Sequence, residues 1–358
     1  MVSISTRPTS TGLELRSVNP VTDSAWAQLT QNPDSTLFHS AAWMHVLQET
    51  YGLDLRALLL MDGARPVAGA PWAEVHDLVG PRRISLAFSD YCDLLAERPE
   101  QRQALAQAMV ADGIPWILRT MAQNAPEIPV PAANSTLFKR QWINLEAEEA
   151  ALWERLTPMA QRGVRKAQRN GVIVRPAASK EELRAWFMLH LRLRQAKHHL
   201  LAQPYAFFER LWDSFVEPGQ GFLLLAVAND NIIGGTLYLL SRDVCYYKFN
   251  ASDFEGLELR PNNALLWQGM LEARSRSCRV LDLGRCNAKQ SGLLDFKRGF
   301  GAREEDMLAL TYANGREQTP QERQAQLLLQ SLTHIFVEEG VPPGVTEQAG
   351  DLLYRYFM

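Results

Sequence analysis

The sequence predicts a mixed α/β protein made of two units of similar rank. Short apolar or β-branched runs of strand length alternate with segments whose apolar residues recur at helical spacing. Turn chemistry separates several of them, as in Asp62-Gly63 and Asn229-Asp230-Asn231. The alternation restarts near Leu145, which divides the chain into 1–144 and 145–358. A length of 358 residues lets each half bury its own core. No strict internal repeat relates the halves.

In the first half, 14–18 is an opening strand and 23–31 a short helix. Ser40 caps a helix whose apolar face (Ala41, Trp43, Met44, Val46, Leu47) ends before Gly52. The apolar run 55–61 and the segment 66–74 form a hairpin about Asp62-Gly63. Strands at 84–88 and 92–95 flank a polar Ser89-Asp90-Tyr91 insertion; 101–111 is amphipathic, 116–119 is a strand, and 127–135 (EIPVPAANS) an irregular connector. In the second half the spacing predicts helices at 149–169, 180–200 and 205–215, and strands at 172–175, 222–228 and 232–241. The tail is helical at 321–339 and 348–357, broken at Gly340-Val341-Pro342-Pro343-Gly344.

Composition narrows the function classes. A net charge of -3 argues against a general nucleic-acid coat or a polybasic membrane anchor. The first ten residues lack the apolar core of a secretion signal, and no run approaches a membrane-spanning length, so integral insertion is not expected and the expected location is cytoplasmic. Four cysteines (Cys92, Cys245, Cys278, Cys286) contain no Cys-x-x-Cys pair and read as reduced structural thiols.

The richest stretch is 244–302. Residues 244–249 form a strand whose one charged tooth is Lys248, ended by Asn250, Ser252 and Asp253. The loop closes on Arg260-Pro261-Asn262-Asn263 before a helical pattern, with an asparagine as N-cap. Residues 279–283 return as a strand, Gly284 turns the backbone, and Asp282 and Arg285 stand at the exit before a turn bearing glycine and lysine. Leu-Arg-Pro-Asn before a helix, Asp-x-Gly-Arg after the next strand, and Gly-Leu-x-x-Phe-Lys-x-x-Phe-Gly-Ala at 292–302 together resemble the Fem-like and cellulose-biosynthesis-associated branch of the GNAT acyltransferases. Further echoes are Leu37-Phe38-His39-Ser40-x-x-Trp43, Phe88-Ser89-Asp90-Tyr91 and Arg162-x-x-Arg165-Lys166-Ala167. The resemblance implies two tandem GNAT-like domains, each a mostly antiparallel mixed sheet flanked by helices, with the active site in the second. It implies transfer of an acyl or aminoacyl group to an amine or hydroxyl of a cell-envelope, polysaccharide or small-molecule precursor.

Such a transfer needs a held donor, a neutral nucleophile, and stabilisation of the developing oxyanion. The candidate catalytic residues are Lys297, as a positive charge beside the oxyanion, and Asp282, as base or amine anchor. Their bland alternatives are a solvated lysine and an ion pair with Arg285 or a helix cap. In Fem ligases the matching Phe-Lys pair lies by the substrates, which implies a substrate-side role for Phe296. Arg285, Arg165, Asp90 and Tyr91 are further substrate-binding candidates, and Asn250, Ser252 and Asn262 are donor-binding candidates or ordinary loop and cap residues. Arg162, Arg165, Lys166 and Arg169 share one helix face, which suits a nucleotide diphosphate, an RNA backbone, or merely solvent. Arg192, Arg194, Lys197, His198 and His199 form a second basic cluster without acidic or thiol partners at metal-ligand spacing, so no metal is expected.

The co-substrate is expected to be acyl-CoA or aminoacyl-tRNA, with no permanently bound cofactor. The glycine-rich pyrophosphate loop of acetyl-CoA-dependent GNAT proteins is replaced here by Glu255-Gly256-Leu257-Glu258-Leu259-Arg260-Pro261-Asn262. The alternative reading is a non-catalytic GNAT-derived protein that binds a partner in a polysaccharide-assembly or other biosynthetic system.

Overall fold

A computed structural model of the chain describes residues 7–8, 13–111, 113–128, 134–313 and 315–358. Part of the expected connector at 127–135 lies outside the described residues. In chain order the elements are β1 (Arg7–Pro8), β2 (Glu14–Val18), α1 (Ser24–Leu29), α2 (Ala41–Tyr51), β3 (Asp54–Asp62), β4 (Arg65–Asp77), β5 (Gly80–Ile84), β6 (Leu95–Ala96), α3 (Pro99–Val110), β7 (Trp116–Met121) and β8 (Asn134–Asn144). There follow α4 (Glu149–Glu154), α5 (Pro158–Arg169), β9 (Ile173–Pro176), α6 (Lys180–Ala196), α7 (Tyr205–Leu211), β10 (Gly221–Ala228), β11 (Asn231–Ser241), β12 (Val244–Ser252), α8 (Pro261–Ser275), β13 (Val280–Asn287), α9 (Ser291–Arg298), β14 (Arg303–Tyr312), α10 (Pro320–Phe336) and α11 (Pro343–Leu353). The architecture is mixed α/β.

The chain divides into two compact units, 1–138 with 305–328 and 139–304 with 329–357. In the first, the sheet runs β1-β2-β3-β4-β5-β7-β14, with β6 on β4. Neighbouring pairs are antiparallel except β5–β7, which run parallel for Arg83↔Trp116 and Ile84↔Ile117. Leu60, Val67, Trp72, Leu105, Trp116 and Leu310 are buried in its core, each worth about 1.5–3 kcal/mol against exposure. Asp23 caps α1 and Ser40 caps α2, whose end is the left-handed Gly52 at φ 62°.

In the second unit the order is β8-β13-β12-β11-β10-β9. The hairpin β10–β11 turns at Asn229 and Asp230, both at positive φ. Alternation sorts the sheet's two faces. Phe222, Leu224 and Ala226 join a core with α5 (Ala160, Val164, Ala167) and α8 (Ala264, Leu265, Met270). Elsewhere, Trp186 of α6 donates from its indole to the Gly235 carbonyl at 3.0 Å and packs on Phe208 of α7.

Several boundaries differ from expectation for identifiable reasons. The helix expected at 149–169 is two, because Pro158 starts a new helix capped by the Thr157 hydroxyl. The strand expected at 84–88 stops at Ile84, since Leu86 and Phe88 take positive φ. β12 continues through Asn250 to Ser252, and its end is not at the polar residues. β13 runs past Gly284, whose φ of 71° is accommodated inside the strand, so Asp282 and Arg285 lie within it. The expected turn bearing Lys297 is helix α9. The N-cap of α8 is Arg260; Asn262 is in the first turn. Strands β8 and β14 were not expected at all.

Candidate active site

The site is built where two parallel strands part. β12 and β13 are in register only at Val244↔Val280, Cys245↔Leu281 and Tyr246↔Asp282. Beyond this β12 bulges: Leu237 opposes Phe249 and Tyr238 opposes Tyr247, leaving Lys248 as the extra residue. β12 leads into α8 and β13 into α9, so the separation of the strands is carried into their helices. Ligands of α/β folds commonly occupy such a crevice outside strand C-termini.

A cavity of about 450 Å³ lies at these helices. Arg162, Gly163 and Lys166 of α5 line one wall, Arg260 and Asn263 the entrance of α8, and Gly292, Asp295 and Phe296 the side of α9. Among the described residues no carboxylate pairs with Arg162, Lys166 or Arg260, whereas Asp295 already pairs with Arg298 at 2.8 Å. The cavity is therefore electropositive. The N-terminus of the 15-residue α8 adds its dipole. Arg260 holds φ 63° and ψ 41°, a costly backbone for a non-glycine residue that places its side chain at the helix entrance. Gly163 permits α5 to approach α8: a Cβ there would meet the Asn263 amide at 2.5 Å.

Of the donor-side candidates, Ser252 and Asn262 meet at this entrance. The Ser252 hydroxyl donates to Asn262 Oδ1 at 2.6 Å, joining the end of β12 to the first turn of α8. Asn250 Nδ2 donates to Thr236 Oγ1 at 2.8 Å, across to β11. Phe296 lines the cavity and packs on Phe300. Arg165 lies over the ring of Trp153 at 5.2 Å, one step around α5 from the lining cations.

Asp282 and Lys297 are both buried, at 1% and 5% exposure. Asp282 Oδ2 accepts from Arg140 Nε at 2.7 Å and Oδ1 from the Gly284 amide at 2.7 Å. It forms an ion pair with Arg140, a residue of β8. Lys297 Nζ donates to the Leu283 carbonyl at 2.6 Å and to Cys286 Sγ at 2.9 Å. Gln141 Nε2 donates to the Leu294 carbonyl at 3.1 Å and to Glu304 at 2.9 Å. These contacts tie β8, β13 and α9 together. Arg285, half-buried on β13, follows directly.

Nearby on α6, His190 stacks on Trp186 and bonds Gln203 at 3.0 Å. Burial pushes its pKa down to about 3, with the Gln203 bond opposing in part. Asp90 and Tyr91 belong to the first unit, where Tyr91 is buried edge-on to Phe38 at 5.6 Å. All four cysteines are buried free thiols.

The sequence reading missed Arg260, Arg140 and Gln141. Arg260 was signalled by its place before Pro261 at a helix start. Arg140 carried no local signal, being 142 residues from its partner.

Comparison with known proteins agrees with this architecture. The acetyltransferase (GNAT) domain family matches residues 159–298. No curated protein matches the sequence. The crystal structure of FemX is similar over 85% of this chain and 97% of its own, at 12% identity and a TM-score of 0.58. A tandem GNAT protein from the clavulanic acid biosynthesis pathway is similar over 86% of this chain and 100% of its own, at 13% identity and 0.52. L-PGS from Bacillus licheniformis is similar over 88% and 97%, at 10% identity and 0.52. No helix among the described residues is long and apolar enough to cross a membrane. Residues 159–298 match the acetyltransferase (GNAT) domain family, and the chain shares the fold of FemX and of the tandem GNAT protein.

Proposed function

We propose that the protein is an acyltransferase whose second unit holds a phosphate-bearing activated donor and passes its acyl or aminoacyl group to an amine or hydroxyl. The observation that carries this reading is the cavity among α5, α8 and α9, lined by Arg162 and Lys166 of α5 and by Arg260 at the start of α8. Three unpaired cations and a helix N-terminus attract a phosphate. Phe296 offers an apolar wall to the donor's arm.

The reaction requires a nucleophile with a free lone pair. For an amine, that pair forms the C–N bond, the tetrahedral carbon expels the leaving group, and the amine proton passes to the departing thiolate or alkoxide. In this reading the bulged backbone of β12 faces the reacting carbonyl. Lys297 supplies positive charge behind β13 while fixing Leu283 and Cys286. Asp282 acts as a positioning residue: its carboxylate, sealed against Arg140, is badly placed to take a proton but holds the strand that carries Arg285. Arg285 and Arg165 are assigned to acceptor and donor binding. The acceptor class is a cell-envelope, polysaccharide or other small-molecule precursor, and the donor is a phosphopantetheine thioester such as acyl-CoA or an aminoacyl-tRNA.

The test is thermal unfolding with a panel of acyl-CoA thioesters and with charged and uncharged tRNA, at two salt concentrations. A ligand that binds the folded protein raises its unfolding temperature with saturation. Stabilisation by one donor class, lost in Arg260→Ala, supports the reading. Silence from every activated donor, free or carrier-borne, overturns it in favour of a non-catalytic binding protein. Lys297→Ala and Asp282→Asn variants that fold and keep full activity remove those two residues from the mechanism.

A further inference from the structure

The basic residues of α5 do not stop at the cavity. Arg162 and Lys166 line it, whereas Arg165 and Arg169 lie exposed outside it. From Arg162 to Arg169 is about 10 Å along the helix axis, longer than one diphosphate spans. The helix contains no acidic residue. Exposed apolar side chains stand beside these cations: Met159 of α5, which lines the cavity, at 69% exposure, and Leu293 of α9, next in sequence to the lining residue Gly292, at 42%. Glu255 and Glu258, both exposed, stand in the loop before Arg260, so that approach is unfriendly to a diphosphate and its neighbouring phosphate, which together carry several negative charges.

Resting on the acyl-transfer reading, we propose that the donor is presented by an acidic carrier protein, whose phosphopantetheine thioester enters the cavity while its acidic helix lies along α5. A carrier-bound arm brings a single phosphodiester, which one or two of the Arg162, Lys166 and Arg260 charges hold without a glycine cradle, leaving the rest to the carrier's acidic residues. The acidic helix accounts for the stripe continuing past the mouth to Arg169. Met159 and Leu293 bury against a protein partner; an RNA backbone gives such side chains nothing apolar to meet. The step is balanced within the donor and acceptor: C–N forms, C–S breaks, and the amine proton leaves on the carrier's thiol.

The experiment measures Kd by fluorescence anisotropy for a purified acidic acyl carrier protein. It is used in three forms: hexanoyl-charged, holo with a free thiol, and apo without the arm. Hexanoyl-CoA and alanyl-tRNA are titrated in parallel with the same chain. Expected are micromolar binding of the charged carrier, at least ten-fold weaker binding of the apo form, and a further loss on raising salt. Arg169→Glu is expected to weaken the carrier at least ten-fold more than it weakens hexanoyl-CoA, while Arg192→Glu on α6 changes neither. Equal or tighter binding of hexanoyl-CoA with no detectable carrier binding overturns this inference and leaves the acyltransferase reading standing. Preference for alanyl-tRNA does the same. Failure of carrier, thioester and charged tRNA together overturns both.

Discussion

Each unit contains a strand that runs parallel to a later one, and the two treat the resulting split differently. In the first unit β5 and β7 pair for two residues, after which the chain itself fills the place. The Ser85 amide donates to the Ile117 carbonyl, the Arg119 amide to Ser85 Oγ at 2.7 Å, and the Cys92 amide to the Arg119 carbonyl at 3.0 Å. Asp93, 6% exposed, then accepts from Thr120 Oγ1, the Met121 amide and Asn124 Nδ2. Tyr91 plugs the core beside Phe38. In the second unit β12 and β13 pair for three residues, and the helices that follow them, α8 and α9, help line a cavity with unpaired cations. A split sealed by its own backbone holds a fold; a split left open with charge at its rim has room for a ligand.

The largest expected effect bears on how the open split is braced. Arg140→Ala removes the guanidinium from the buried Asp282 carboxylate and should cost about 3–5 kcal/mol in urea unfolding. The double variant with Asp282→Asn should recover a substantial part, and no recovery would show that the cost lies in packing. In the sealed split, Asp93→Ala strands several buried donors and should cost about 2–4 kcal/mol. Its donor Kd, measured where the variant is folded, should stay within about two-fold. A large loss of donor binding would mean that the sealed split is not merely a scaffold.

Acid should single out the second unit. His190 is held neutral, with its pKa lowered from 6.5 to about 3. The unfolded chain therefore binds a proton that the folded chain refuses between those values. The stability this contributes is fully present above pH 6.5 and is lost as pH falls toward 3. A His190→Gln variant should show a flatter stability profile over that window, and an unchanged slope would assign the acid sensitivity elsewhere. The smallest expected energy is at the rim: Arg260→Ala should weaken a phosphate-bearing donor about ten-fold, about 1.4 kcal/mol. Its unfolding temperature without ligand should hardly move, because this side chain is exposed.

Much of the second unit was legible because its strands are apolar and its turns carry asparagine, aspartate and glycine. The hairpin at Asn229-Asp230 and the helix after Pro261 follow from local chemistry alone. β8 and β14 were not legible. NSTLFKRQWIN and the first half of REEDMLALTY mix charge with apolar residues too freely to announce a strand, and both are made by pairing with partners distant in sequence. The basic face of α5 could be read from spacing, but not that two of its cations line a cavity. Asp282 and Lys297 drew attention through their motif, whereas their burial and their partners on β8 and β13 were invisible.

The sequence by itself determined the alternation of elements, the helix starts and the run of cations on one helix face, since these depend on neighbours within a few residues. Tertiary structure decided which strand split stays open, that Asp282 answers to Arg140, and that Lys297 points inward to Leu283 and Cys286. Those outcomes depend on which distant groups compete for the same buried space, where an unpaired charge costs more than any local preference can offset.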